Sequence, residues 1–208
     1  MLFIMNVGIV PSTRIGIGIV SLAILVWSAF FIVRFPETHP DATLRIAERI
    51  DSFSFRITFP LKLARLSMQE PDAALVMPVY GVSVRQVSDT WGAPRGEDRE
   101  HEGQDIFASR GTLVFSATNG YIVRVQEDRE LGGNTVWVAG AGGIRYYYAH
   151  LDRSAEGITV GQWVTTDTVI GFVGNTGNAV TTPPHLHFGV YERREALNPL
   201  TLLKDRQK

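Results

Sequence analysis

The chain has 208 residues, of which 45% are hydrophobic and 20% charged, and its net charge is −1. That length allows one domain plus a further segment, and the balanced charge gives no electrostatic footprint for nucleic acid. There is no cysteine, so disulfides and thiolate ligands are excluded and any metal must be held by His, Asp or Glu.

Residues 1–34 are dominated by Ile15 to Val33, an uncharged run bounded by Arg14 and Arg34. At 1.5 Å per residue it is long enough to cross a hydrocarbon core of about 30 Å. It exceeds the apolar part of a cleaved leader, about 7–15 residues, and no convincing small-x-small cleavage site precedes Arg34. A single transmembrane anchor over 15–33 is therefore expected. Arg34, Arg45 and Arg49 follow the run, so a count of positive charges would leave the C-terminal part in the cytoplasm. Long domains translocate regardless of such charges.

Residues 35–74 read as a helical stem that spaces the next domain from the membrane. Asp41 opens a helix in which Leu44, Ala47, Ile50 and Phe53 make a narrow apolar stripe. Pro60 suits the first turn of a second short helix running to about Met68, and Pro71 ends it.

From Leu75 the character changes to short β-rich runs punctuated by glycine: Thr112–Ser116, Tyr121–Val125, Thr135–Val138, Tyr146–Tyr148 and Val169–Val173. Such spacing predicts a mainly β domain over 75–203, an antiparallel sheet or sandwich, with 204–208 as a tail. Two segments, GTLVFSATNGYIVRV and GQWVTTDTVIGFVGN, look like distorted copies of one strand-turn-strand unit. They read as a hairpin used twice.

His185-Leu186-His187-Phe188 follows Pro183 and Pro184. Two histidines at i and i+2 on a strand face one side and can share a metal, or divide metal binding and proton chemistry between them. Two other segments offer further ligands. In Arg99 to Ile106, His101 and Asp105 flank Gly103, which would let the backbone bend so that both converge. Asp105 directly precedes Ile106-Phe107, an unlikely place for a solvated charge. His150 ends the aromatic run Tyr146–Tyr148. Tyr148, two residues before it, either steadies the site or packs in the core. Taken singly, each of these is an ordinary surface or core residue. Together, four of the five histidines fall in the β-rich segment at strand edges, and only His39 lies in the stem. Three protein ligands with an open fourth position is the arrangement of catalytic zinc.

HEGQD at 101–105, YAHL at 148–151, GNTGN at 174–178 and HLHF at 185–188 resemble, in order and spacing, the M23 family of zinc metallopeptidases, the LytM and lysostaphin type. The similarity covers roughly Met77 to Pro199 and includes WGAPR at 91–95 and LGGN at 131–134. It implies a zinc-dependent endopeptidase that hydrolyses peptide cross-links of bacterial peptidoglycan. It implies that His101, Asp105 and His187 hold one Zn2+. It also implies that His150 and His185 are the catalytic pair, serving proton transfer and oxyanion stabilisation around a zinc-activated water. Which of the two is the general base stays open. The departures are Gln104, where an apolar residue is commoner, the charged run Glu97 to Glu100, and TTPP at 181–184.

Two other functions compete. A LytM-type module that has lost ligands binds and activates other wall hydrolases, but this chain carries every residue. A lipoyl-type carrier needs a lysine at a hairpin tip, and there is none from Leu63 to Leu203. A peptidoglycan substrate also implies a membrane-anchored domain facing the periplasm or cell envelope, against the charge count.

Overall fold

The computed structural model describes residues 40–95 and 99–207. The chain divides into two units, Met1–Thr58 and Phe59–Lys208. The expected anchor at 15–33 lies outside the described residues. Among those described, no helix is long and apolar enough to cross a membrane.

The expected pair of stem helices is one helix, α1 (Pro40–Ser67), with Pro60 inside it. The pyrrolidine ring fixes φ near −65°, which is a helical value. Its cost is the missing N–H that would have bonded the Arg56 carbonyl, and crowding against that carbonyl. Neither stops the turn from propagating. The Thr58 hydroxyl donates to the Ser54 carbonyl at 2.9 Å, a back-bond of the kind that bends helices locally. In the first unit Phe53, the last residue of the expected apolar stripe, is exposed. In the second unit Leu66 is buried, and the Phe59 ring meets Tyr121 edge-on at 5.8 Å.

The second unit is mainly β. Its strands are β1 (Leu75–Val76), β2 (Gln104–Phe107), β3 (Leu113–Phe115), β4 (Gly120–Arg129), β5 (Gly133–Ala139), β6 (Ile144–Ser154), β7 (Trp163–Val164), β8 (Val169–Val173), β9 (His185–Glu192), β10 (Glu195–Leu197) and β11 (Leu203–Lys204). Nine of them form one antiparallel sheet in the order β10-β9-β6-β5-β4-β7. In addition β2 lies on β9, β8 on β6, and β3 on β8. β1 and β11 pair separately and in parallel, Leu75 opposite Leu203.

Alternation along the two central strands decides what faces the core. On β6, Tyr146 and Tyr148 are buried in it; on β9, Leu186, Phe188 and Val190 are. Residues between them turn to the other face, so His185 and His187 emerge together. The core cluster also takes Leu75, Met77, Ile106, Ile122 and Ile170. Tyr148 belongs to this core. Its hydroxyl accepts from the Ala117 backbone N–H at 2.9 Å, away from the histidines.

The two similar segments are not hairpins. β3 pairs with β8 and β4 with β7, so the strands of one segment pair with those of the other. Ser116 N–H donates to Thr168 O at 3.0 Å and Ile122 N–H to Gln162 O at 2.9 Å, which interlocks them. β4 gives its other edge to β5, leaving none for β3. The last residues also join the domain. Lys204 closes β11, Asp205 Oδ1 accepts from Val84 N–H at 2.6 Å, and the Arg206 guanidinium lies 4.3 Å over the Phe115 ring.

Candidate metal centre

The edge strand β2 brings the first candidate ligands to β9. Asp105 stands opposite His187 and Phe107 opposite His185. Asp105 and Phe107 share a face of β2 because they are two residues apart. His101 lies just before the strand and is tied to the Thr90–Ala93 segment. Gly92 N–H donates to His101 O at 3.0 Å, and His101 N–H to Ala93 O at 2.9 Å. This gives the WGAPR stretch a structural role: it runs beside His101 and holds it in place.

The result is a triangle of ligand atoms. His101 Nε2 is 2.8 Å from His187 Nδ1, and each is 3.1 Å from Asp105 Oδ1. Four-coordinate zinc with bonds of about 2.0–2.1 Å holds its ligand atoms about 3.3 Å apart. The triangle fits such an ion with a slight expansion. His185 Nε2 is 3.8 Å from the same Oδ1, and the His150 ring lies 5.0 Å from that of His185 and 5.9 Å from that of His187. All five residues read from the sequence therefore converge. His101, Asp105, His150 and His185 are buried, and His187 is half-buried.

The protons point the same way. A peptide carbonyl only accepts, so a ring nitrogen against one must carry hydrogen. His101 Nδ1 donates to Thr90 O at 2.7 Å, His150 Nδ1 to Thr176 O at 2.9 Å, and His185 Nδ1 to Pro183 O at 2.9 Å. Each neutral ring is thereby assigned a bare Nε2. Lone pairs on His101 and His187 and a carboxylate oxygen facing one point, with the His101 ring anchored through its other nitrogen, make a candidate cation site.

The electrostatics keep these groups in their ligand forms. Burial pushes the Asp105 carboxyl up, but the His101 and His187 imidazoles at its Oδ1 outweigh it and hold the group well below the usual carboxylate range. Its other oxygen, Oδ2, is paired with the Arg95 guanidinium. Burial lowers His187 and takes His150 down to about 4. A linkage follows for the metal-free protein. Between pH 6.5 and about 4 the unfolded chain binds a proton at His150 that the folded chain refuses. Unfolding free energy therefore falls as pH falls through that window, by at most about 3 kcal/mol from this group. Denaturant midpoints of chelated protein at pH 7 and pH 4.5 should show the loss. His150→Asn should make the two midpoints more alike.

His150 reaches the site by a backbone irregularity. Regular alternation from Tyr146 and Tyr148 would aim it into the core. Its φ is 60°, a left-handed conformation uncommon for a side chain of this size, and this turns it to the site face. Its N–H donates to Gly132 O at 2.8 Å. The GNTGN loop supplies Thr176 O beneath the ring. That loop fits closely because Gly177 (φ 69°) lies against the Leu131–Gly133 backbone, where a Cβ would come 2.5 Å from Leu131 O.

The chain bends at Gly103 as expected, with the backbone outside the left-handed region, so the glycine is needed there for space and not for a positive φ. A Cβ there would stand 2.5 Å from His187 Cε1 and 2.6 Å from Nε2. Its role is clearance for a ligand ring. Gly103→Ala should turn His187 and weaken zinc binding at least about tenfold, the lower bound for disturbing a ligand's orientation. Chelator competition measures it, with circular dichroism as the check on folding.

The site opens into a cleft of about 590 Å³ lined by Arg95, Arg99, Tyr147, His150, His187 and Tyr191 among others. Sequence reasoning picked out Tyr148; its neighbour Tyr147, on the opposite face of β6, is the one that meets His187, at 5.8 Å. Thr90, Thr176 and Pro183 were not singled out for site roles, because they act through main-chain carbonyls.

Residues 99–199 match the model of Peptidase family M23. The L-Ala--D-Glu endopeptidase of Bacillus subtilis is 40% identical over 110 residues, 50% of this chain and 33% of that protein. The murein hydrolase activator NlpD of Salmonella typhimurium is 25% identical over 160 residues, 72% of this chain and 39% of that protein. A solved structure of a zinc-containing peptidase from Vibrio cholerae superimposes with a TM-score of 0.53 at 27% identity, covering 62% of this chain and 40% of that one. The chain spans 22–33% of the length of the first curated relatives it matches. The match over residues 99–199, carrying the converged histidines and Asp105 on an antiparallel sheet, identifies that part of the chain as a domain of Peptidase family M23.

Proposed function

We propose that this protein is a zinc-dependent endopeptidase that hydrolyses peptide bonds of bacterial peptidoglycan. The observation that carries the reading is the convergence of His101 Nε2, His187 Nδ1 and Asp105 Oδ1 within 3.1 Å of one another. These three atoms would hold the ion. When bound, zinc supplies a Lewis acid and lowers the pKa of a water towards about 7.

The remaining steps belong to this chain's own side chains. His150 and His185 each present a bare Nε2, with the opposite nitrogen fixed on a main-chain carbonyl. One accepts the proton of the attacking water and passes it to the leaving amine; the other, once it carries a proton on Nε2, donates to the charge developing on the scissile carbonyl oxygen. Because its pKa is held near 4, His150 stays neutral and able to accept a proton throughout the neutral range. The wall peptide lies along the cleft. Tyr191, its phenol pushed up to about 12 by burial, stays a neutral hydrogen-bond group on that surface.

The rival reading, a non-enzymatic activator of other hydrolases, has the NlpD resemblance in its favour. The complete set of ligands and acid–base histidines favours an enzyme. The apolar run at 15–33 supports attachment to a membrane, and a peptidoglycan substrate, against the charge count, would put the domain on the envelope side. The deciding experiment is digestion of purified peptidoglycan by the full chain, with and without chelator, followed by mass analysis of the fragments. Peptide-bond cleavage that stops with chelator and returns with zinc is expected. Zinc binding without any fragment release would favour the activator.

A further inference from the structure

Gln104 is a fully buried polar residue at a position where the M23 resemblance leads one to expect an apolar side chain. It shares the core-facing side of β2 with Ile106, opposite to Asp105. Its amide nitrogen donates to Ser88 O and, at 3.1 Å, to the Thr90 hydroxyl. Its amide oxygen accepts from Thr90 N–H at 3.4 Å. Gln104 thus grips both ends of Thr90, its main-chain nitrogen and its side chain. Thr90 in turn touches two metal-site residues. Its carbonyl holds His101 Nδ1 at 2.7 Å, and its hydroxyl accepts the outward-facing N–H of Asp105 at 3.0 Å.

The chain of contacts therefore runs from Gln104 to Thr90 and then to His101 and Asp105. An apolar side chain of the same size would fill the space, but Ser88–Thr90 would be held to β2 only by Thr90's own bonds. Ser88 is exposed, so its carbonyl could turn to water at little cost. The Thr90 carbonyl would then be free to swing, and the His101 ring with it.

We propose that Gln104 is a positioning residue for the metal centre, fixing the directions of His101 and Asp105 through Thr90. The inference rests on the reading of that site as a zinc centre. The alternative is that Gln104 merely fastens a surface segment to the sheet.

The test uses the full chain and Gln104→Met, which keeps length and removes the amide. Two readouts are taken. The first is the zinc dissociation constant by chelator competition. The second, in metal-free protein, is the solvent exchange of the His101 Nδ1 proton, followed by NMR with 15N-labelled histidine. Gln104→Met should weaken zinc about tenfold, the low end for partners outside the ligand shell, and speed exchange of that proton. Thr90→Val should weaken zinc comparably, and Thr90→Ser, which keeps both the hydroxyl and the carbonyl, should restore it. The double variant Gln104→Met/Thr90→Val should be no worse than the poorer single one, since both break the same link. If Gln104→Met fails to fold, the contrast of Thr90→Val with Thr90→Ser and the exchange of the His101 proton decide the matter. Zinc affinity within twofold of wild type, with the His101 proton unmoved, would overturn the proposal. A wild-type chain that binds no zinc would instead overturn the reading of the site.

Discussion

Asp105→Ala should lose zinc and hydrolysis together. The carboxylate contributes Oδ1 to the ligand triangle and supplies its only negative charge. Without it two neutral imidazoles remain to hold a divalent ion, beside an Arg95 guanidinium that has lost its partner. That positive charge is then directly adverse to the metal. Zinc affinity should fall by more than about a hundredfold, beyond the range for partners outside the ligand shell. Peptidoglycan cleavage should fall to background. Zinc content by atomic emission after gel filtration, measured with fragment release, checks both. Asp105→Asn should lie between, because it keeps an oxygen ligand and loses the charge. An Asp105→Ala protein that is zinc-loaded and active would remove Asp105 from the ligand set.

His150→Ala should separate the two properties. Its ring is 5.9 Å, centroid to centroid, from His187, and its Nε2 is not one of the three converging ligand atoms. Zinc content should stay close to one per chain while kcat falls by about 10²–10⁴, the usual worth of a positioned acid or base. The backbone at 150 is left-handed, so Ala also adds local strain. His150→Asn, which tolerates that conformation better, controls for it. If His150→Asn keeps zinc and is equally inactive, the loss is chemical. If it regains activity, the backbone was responsible. Loss of metal in both variants would mean that the histidine roles are wrongly divided.

How much of this can be read from the residues depends on what each feature does. His185 and His187 were legible because a strand has period two, and alternation alone puts them on one face. Asp105 stood out as a charge directly before apolar residues, and it lies on a strand that the glycine-rich surroundings concealed. His150 stood out as a histidine at the end of an aromatic strand, but its catalytic role came only from the family motif. Strict alternation would have buried it beside Tyr148, and a single positive φ is what turns it outward. The carbonyls of Thr90, Thr176 and Pro183 have no side-chain signature at all. The paired segments were misread as hairpins for a related reason. Alternation says that a stretch is a strand but not which strand it will lie beside, and here β3 and β4 find partners some fifty residues away in the chain. Pro60 was read as a helix start because proline favours the first turn, yet its ring geometry also permits the helix to pass through.

The parallel pairing of β1 with β11 has an engineering consequence. Leu75 and Leu203 are neighbours across that ladder, so the two ends of the catalytic fold lie side by side. New termini opened in an exposed turn, with the old ends joined by a short linker, should give a circularly permuted enzyme. By the same adjacency, the fold could be spliced into a surface loop of another protein without pulling its two halves apart.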